Sequence, residues 1–122
     1  MLKKKAFVIC SVRKATAEML EELNRIYEKY TKLGYDVYLP HKRTNQEGSG
    51  YAICTENYEA ISKANIVIVV YYKESTGTHF DMGMAFALGK EIIVEHALIE
   101  SGGKHYARML MEWERLGIEW TY

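Results

Sequence analysis

Apolar and polar residues follow one another along the chain in two patterns, which predict strands and helices in turn. Short apolar runs are typical of buried strands, whereas apolar positions three and four residues apart are typical of helices with one buried face. The run "NIVIVVYY" is apolar without alternation, as in strands that are covered on both faces. The segments predicted as strands are 5–12, 35–40, 65–72, 91–95 and 118–120.

The helix pattern is clearest over residues 17–33, where Thr16 is the expected N-cap and Gly34 follows the last turn. A second helix is expected to begin with Thr55 as its cap. The polar stretch 41–50 between these two elements predicts a loop. The other predicted helices are one that follows residues 75–83 and ends at Gly89, and one over 104–116.

Strands that alternate with helices predict a parallel sheet with right-handed crossover connections. We therefore expect an α/β fold in which residues 1–122 form a single domain, a three-layer sandwich with a mostly parallel five-stranded sheet. Ligands bind to such sheets beyond the carboxyl ends of the strands. This rule selects the segments that follow the first three strands as places to look for chemistry.

Composition narrows the range of partners. The chain carries 16 basic and 16 acidic side chains among 122 residues, so its charge predicts neither a nucleic acid polymer nor an anionic membrane as a partner. No apolar run approaches the ~20 residues of a membrane-spanning helix. Cys10 and Cys54 lie in apolar surroundings without CxxC spacing, which predicts buried free thiols in a cytoplasmic protein. We expect no metal site and no cofactor.

The segment "STGTHFDMG", residues 75–83, carries the clearest candidate group. Its acid, Asp81, is expected in about the first turn of a helix, where the helix dipole and free N–H groups favour the ionised form. An ionised carboxylate can act as a nucleophile or stabilise a cationic sugar centre. The pattern alone also allows a purely structural helix-start residue, because Asp is common there.

Ser11 and Arg13 follow the first strand directly. A hydroxyl, a guanidinium and loop N–H groups together suit a phosphate or a sugar hydroxyl, although a capping serine and a solvated arginine fit the same pattern. The basic cluster at 41–43 is interpreted as a solvated loop. The sequence has no GxGxxG or Walker pattern, so dinucleotide and P-loop sites are not indicated.

Three segments together resemble the nucleoside 2-deoxyribosyltransferase superfamily, including its short members that hydrolyse deoxynucleoside 5′-monophosphates. They are "SVR" after the first strand, "ENYEAISKAN" leading into "IVIVV", and "STGTHFDMGMAFALGKEIIV". The family pattern in the last segment is a glycine, two variable residues, an aromatic, glutamate, an aliphatic and a glycine. The residues that fit it are Gly77, Phe80, Met82 and Gly83. The resemblance implies a Rossmann-like or flavodoxin-like fold.

The resemblance also implies an activity: cleavage or transfer of the N-glycosidic bond of a (deoxy)nucleoside or nucleoside 5′-monophosphate by double displacement at the anomeric carbon. Asp81 stands at the position of the family's nucleophilic glutamate, and Asn57 at that of an aspartate that assists departure of the base. The residues implied in substrate binding are Ser11, Arg13, Ser75, Gly77, Phe7 and Tyr122. Tyr122 is similar to family C-termini that reach a neighbour's active site, so a homo-oligomer is implied.

Two departures from the family pattern keep alternatives open. Asp81 is one methylene shorter than glutamate, and the amide of Asn57 has no acidic proton to donate. The acid for the leaving base is therefore missing, supplied by Glu47 on the polar loop, or unnecessary for a labile base. The same departures allow a non-catalytic nucleotide-binding module, and a flavodoxin-like protein with another partner is a third hypothesis. The choice between hydrolase and transferase stays open.

Overall fold

The computed structural model describes residues 3–13, 15–98 and 105–118, and the fold is that of these residues. Strands and helices alternate as the apolar pattern predicts. In chain order the elements are β1 (Lys4–Ile9), α1 (Ala17–Lys32), β2 (Tyr35–Tyr38), α2 (Pro40–Arg43), α3 (Gly50–Lys63), β3 (Ile66–Val70), α4 (Thr76–Ala87), β4 (Ile92–His96) and α5 (Tyr106–Leu116).

The strands form one parallel sheet in the order β2-β1-β3-β4. Successive side chains of a strand point to opposite faces, and the central strand β1 serves two cores in this way. Phe7 and Ile9 pack with buried residues of α3, α4 and α5, whereas Ala6 and Val8 pack with α1. The predicted three-layer α/β sandwich is therefore confirmed.

The prediction of a fifth strand at 118–120 is wrong for the described chain, whose sheet has four strands. Helix α5 ends at Gly117, which has a φ of 71°, in the left-handed region that favours glycine. Ile118 follows this turn and is not in a strand, and residues 119–122 lie outside the described residues. That residues 1–122 form one domain stays a prediction.

The caps of α1 agree with the sequence pattern, whereas those of the next long helix do not. Thr16 accepts a hydrogen bond from the Met19 N–H at 3.1 Å, and Gly34 follows the helix with a φ of 97°. Helix α3 begins at Gly50 rather than after Thr55, because the Ser49 hydroxyl supplies a cap oxygen earlier in the chain. The hydroxyl of Thr55 instead donates to a backbone carbonyl inside the helix.

The stretch predicted as a loop between β2 and α3 contains the short helix α2, which Pro40 begins at a position where proline is favoured. Arg43 at its end pairs with the Asp36 carboxylate at 2.7 Å, and both side chains are exposed. None of the described helices has the length and apolar character needed to cross a membrane. The cytoplasmic location stays a prediction.

Candidate active site

A cleft of about 1160 Å³ opens at the carboxyl ends of the strands. Its walls come from the segments after β1 and β3, the first turns of α1 and α4, and one side of α3. This is the edge at which parallel sheets bind ligands. The predicted site residues that line this cleft are Ser11, Arg13, Asn57, Ser75, Gly77 and Asp81.

Two other predicted candidates, Phe7 and Glu47, lie outside this cleft. Phe7 is fully buried, and its ring stacks on Tyr38 with the centroids 5.2 Å apart, so it is a core residue below the cleft. Glu47, considered as an alternative acid, is exposed and is not among the residues that line the cleft. Tyr122 lies outside the described residues.

Asp81 sits deeper and further along its helix than the sequence indicates. The Ser75 hydroxyl caps α4 by accepting from the Thr78 N–H at 3.2 Å, which makes Asp81 the sixth residue of the helix, in its second turn. The expected position at the helix start is therefore wrong. Asp81 is only 7% exposed, and this burial raises the pKa of its carboxyl group from 3.8 to about 7.

Asn57 is a polar partner of this carboxyl group. It projects from α3, is 7% exposed, and its side chain hydrogen-bonds Asp81, which partly offsets the effect of burial on the pKa. The Asn57 Oδ1 atom already accepts from the Thr44 hydroxyl at 2.7 Å. The NH₂ group is therefore the part of the amide that faces Asp81, and it favours the ionised carboxylate.

Cys10 forms part of the cleft wall next to this pair. Burial, and secondarily the negative charge of Asp81, raise the pKa of its thiol to about 12, so the thiol stays protonated at neutral pH. Cys54 also lines the cleft and is only half-buried, and both cysteines are free thiols. Neither the pKa nor the surroundings of Cys10 are those of a reactive nucleophile.

The opposite wall contains residues that the sequence interpretation missed. His96, at the end of β4, has its Nδ1 atom 3.4 Å from the Glu22 carboxylate of α1, and its ring stacks on Tyr72 at 4.5 Å. All three line the cleft. The rule that selected the ends of the first three strands selects the end of β4 as well, so His96 could have been found. Glu22 could not, because nothing in its spacing separates the cleft side of α1 from its solvent side.

The acidic side chains on the cleft are Glu18, Glu21, Glu22, Glu74 and Asp81. Asp81 is the one among them that is buried. Within the described ranges, no three His, Cys, Asp or Glu side chains come together as metal ligands.

Solved structures similar to this one share its fold at low sequence identity. A CMP N-glycosidase from Clostridium botulinum has a TM-score of 0.58 and 21% identity over 92% of this chain and 80% of its own. A 2-deoxyribosyltransferase from Bacillus psychrosaccharolyticus has a TM-score of 0.64 and 20% identity, covering 80% and 77% of the two chains. The corresponding enzyme from Leishmania mexicana has a TM-score of 0.59 and 17% identity, covering 75% and 63%.

No curated protein matches the sequence. The sequence model of the nucleoside 2-deoxyribosyltransferase family, however, matches residues 10–104. This span runs from the end of β1 to the residues before α5 and contains the whole described cleft wall. Because the match covers most of the 122 residues, the chain belongs to the nucleoside 2-deoxyribosyltransferase family.

Proposed function

We propose that the protein cleaves or transfers the N-glycosidic bond of a (deoxy)nucleoside or nucleoside 5′-monophosphate, with Asp81 as the carboxylate nucleophile. The observation that supports this most is the buried, hydrogen-bonded pair of Asp81 and Asn57 on the cleft. The family is named for deoxyribosyl transfer, and the similar solved structures are deoxyribosyltransferases and a CMP N-glycosidase. Both reactions break a bond between a sugar and a base.

In the proposed reaction, a carboxylate oxygen of Asp81 forms a bond to the anomeric carbon while the bond to the base breaks. The base leaves with that electron pair and takes a proton from solvent, because the Asn57 amide has no acidic proton. Water or a second base then displaces Asp81 from the glycosyl ester and regenerates the carboxylate. Ser11, Arg13 and Ser75 are proposed to bind the sugar or its phosphate.

The raised pKa affects this chemistry in two opposing ways. Only the ionised carboxylate attacks, and with a pKa of about 7 roughly half of Asp81 is ionised at neutral pH. A carboxylate of higher pKa is also more basic and, in a site with little water, less strongly solvated, which strengthens it as a nucleophile. Turnover should therefore depend on pH near neutrality.

The direct test is to incubate the protein with deoxynucleosides and their 5′-monophosphates, with and without an acceptor base, and to separate the products by chromatography. Release of free base without an acceptor indicates hydrolysis, and exchange of bases indicates transfer. We expect Asp81→Ala to lower either rate on the order of 10⁴-fold. Asp36→Ala, at an exposed acid away from the cleft, is the matched control. Unchanged base release in Asp81→Ala would exclude Asp81 as the nucleophile.

A second candidate function is a nucleotide-binding module without catalysis. It is favoured by one observation, the amide at Asn57 in place of an acid that could protonate the base. Calorimetry with the same panel of nucleosides and nucleotides separates the two functions. Binding without product formation supports the module, whereas a chain that neither binds nor turns over any of them contradicts both proposals.

We also propose a homo-oligomer. Large aromatic side chains are exposed on the helices that cover one face of the sheet, including Tyr51, Phe80 and Tyr106 at 84%, 56% and 57%. Apolar surface of this kind is typical of contacts between subunits. Light scattering measures the mass in solution, and a mass equal to one chain at micromolar concentration would exclude a stable oligomer.

A further inference from the structure

A chain of polar side chains runs from β2 to the carboxyl group of Asp81. The Tyr38 hydroxyl lies 2.8 Å from Thr44 Oγ1, and this Oγ1 donates to Asn57 Oδ1 at 2.7 Å. A threonine hydroxyl has one hydrogen. Because Thr44 uses it on Asn57, the Tyr38 hydroxyl must be the donor in the first contact. Asn57 in turn hydrogen-bonds Asp81, so every donor in the chain points towards the carboxylate.

Thr44 is fixed by its surroundings. Thr44 is 5% exposed and directly follows the short helix α2. Its backbone N–H donates to the Pro40 carbonyl of that helix at 3.0 Å. The next residue, Asn45, donates its backbone N–H to the Glu56 carboxylate of α3 at 3.1 Å. The segment that carries the Thr44 hydroxyl is therefore tied to the same helix as Asn57.

The orientation of the Asn57 amide decides whether its NH₂ group or its Oδ1 atom faces the Asp81 carboxyl group. With Oδ1 held by Thr44, the NH₂ group faces Asp81 and can donate to the ionised carboxylate. A rotation of the amide by half a turn would instead bring Oδ1 against the carboxylate, where two acceptors repel each other. Because the Thr44 hydroxyl donates to Oδ1 while it accepts from Tyr38, it holds the amide in the orientation that favours the ionised carboxylate.

We propose that Thr44 is a positioning residue of this site, which, supported by Tyr38, fixes the Asn57 amide so that its NH₂ group orients the Asp81 carboxylate for attack. Thr44 acts through Asn57, since it does not line the cleft. The proposal rests on the proposed function for its effect on turnover, but its effect on Asp81 is measurable without catalysis. Aligned donors polarise one another in a site with little water, which strengthens the last hydrogen bond of the chain.

Thr44→Val has nearly the same shape but no hydroxyl, and leaves the Asn57 Oδ1 atom without its partner. The loss of one hydrogen bond of the network should raise the pH at which Asp81 titrates by roughly 0.5 to 1 unit. Thr44→Ser keeps the hydroxyl and should restore the titration. Tyr38→Phe keeps the ring that stacks on Phe7 and should give a smaller shift in the same direction, because Thr44 can still donate to Asn57.

The first readout is the titration of Asp81, followed by NMR of ¹³C-labelled aspartate carboxyl groups and assigned with Asp81→Asn. Titration of other groups near the cleft can also shift the carboxyl resonances. Subtraction of the spectrum of Asp81→Asn isolates the resonance of Asp81. The charged and titratable groups concerned are Cys10 after β1, Cys54 on α3, Arg13 and Glu74 on the loops, and Glu18, Glu21, Glu22, Arg25 and His96 on the opposite wall.

The second readout is the pH profile of base release. A positioning role predicts a lower kcat with little change in KM for Thr44→Val, since no cleft-lining group is removed, and a midpoint that shifts with the NMR titration. An Asp81 titration that is the same in Thr44→Val and the wild type would overturn the proposal, even if the variant were less stable. If the wild type releases no base but the Asp81 titration of Thr44→Val is shifted as expected, the proposed function fails and the positioning role stands.

Discussion

Replacement of Asp81 by asparagine tests whether burial has raised the pKa of this carboxyl group. The native pKa is about 7 and the ordinary value is 3.8, so the folded chain holds this proton more tightly than the unfolded chain does. The resulting stabilisation is complete below about pH 4 and is lost as the pH rises to about 7. At about 1.4 kcal/mol for each pH unit, the free energy of unfolding falls on the order of 4 kcal/mol in total, of which roughly 3 kcal/mol is lost between pH 5 and pH 8.

Asparagine has the shape of the protonated acid, cannot ionise, and keeps an oxygen for the NH₂ group of Asn57. We therefore expect Asp81→Asn to be more stable than the wild type at pH 8, and its advantage to shrink by roughly 3 kcal/mol at pH 5. Urea unfolding at the two pH values measures this, because at a slope near 2 kcal/mol/M the midpoints should differ by more than about 1 M at pH 8. Asp36→Asn is the control, since loss of its exposed pair with Arg43 should cost at most about 1 kcal/mol.

Whether Asp81→Asn is more or less stable than the wild type at pH 8 shows whether the folded protein disfavours or favours the ionised Asp81 carboxylate. If Asp81→Asn were less stable than the wild type at pH 8, the folded protein would favour the ionised carboxylate, as the sequence alone suggested from a position near the helix start. A difference that is the same at pH 5 and pH 8 would equally refute a raised pKa. A stabilising replacement with loss of activity is the behaviour expected of a group that is kept for function at a cost in stability.

Other predictions concern the same cleft. Base release by the wild type should rise with pH through about 7, as Asp81 ionises, and a profile that is flat between pH 5 and pH 9 would contradict a nucleophilic role. Ser75→Ala and Ser49→Ala each remove an N-cap and should each cost about 1 kcal/mol in urea unfolding. Only Ser75→Ala should also slow turnover, because Ser75 lines the cleft and begins the helix that carries Asp81; equal losses of activity would contradict this. Mass spectrometry after brief alkylation at pH 8 should find Cys54 modified before Cys10, whose pKa is about 12; equal rates would argue against its burial.

The sequence predicted most reliably what local interactions decide. The ends of α1 follow from Thr16 and Gly34, which act within one turn of the helix. The start of α3 does not, because Ser49 and Thr55 both offer a cap oxygen and local pattern cannot choose between them.

The features of the candidate site likewise fall into those that the sequence predicts and those that depend on contacts between distant parts of the chain. The rule about strand ends brought Ser11, Ser75 and Asp81 to one cleft, since it depends only on a parallel sheet. The environment of Asp81 depends on depth, and neither its burial nor its raised pKa has a signature in "STGTHFDMG". Thr44 was missed because its contacts join β2, the segment after α2 and α3, with no spacing that marks them.

The burial of Asp81 offers a physical reason for an amide rather than a carboxyl group at position 57. A second carboxyl group in hydrogen-bonding contact with a buried acid raises the pKa of one of the two, because both cannot ionise side by side. With aspartate at position 57, the carboxyl group of Asp81, whose pKa is already about 7, would be driven further towards its protonated form. An amide held by Thr44 instead donates to the carboxylate and lowers its pKa. The amide at position 57 thus favours ionisation of a deeply buried carboxyl group near neutral pH.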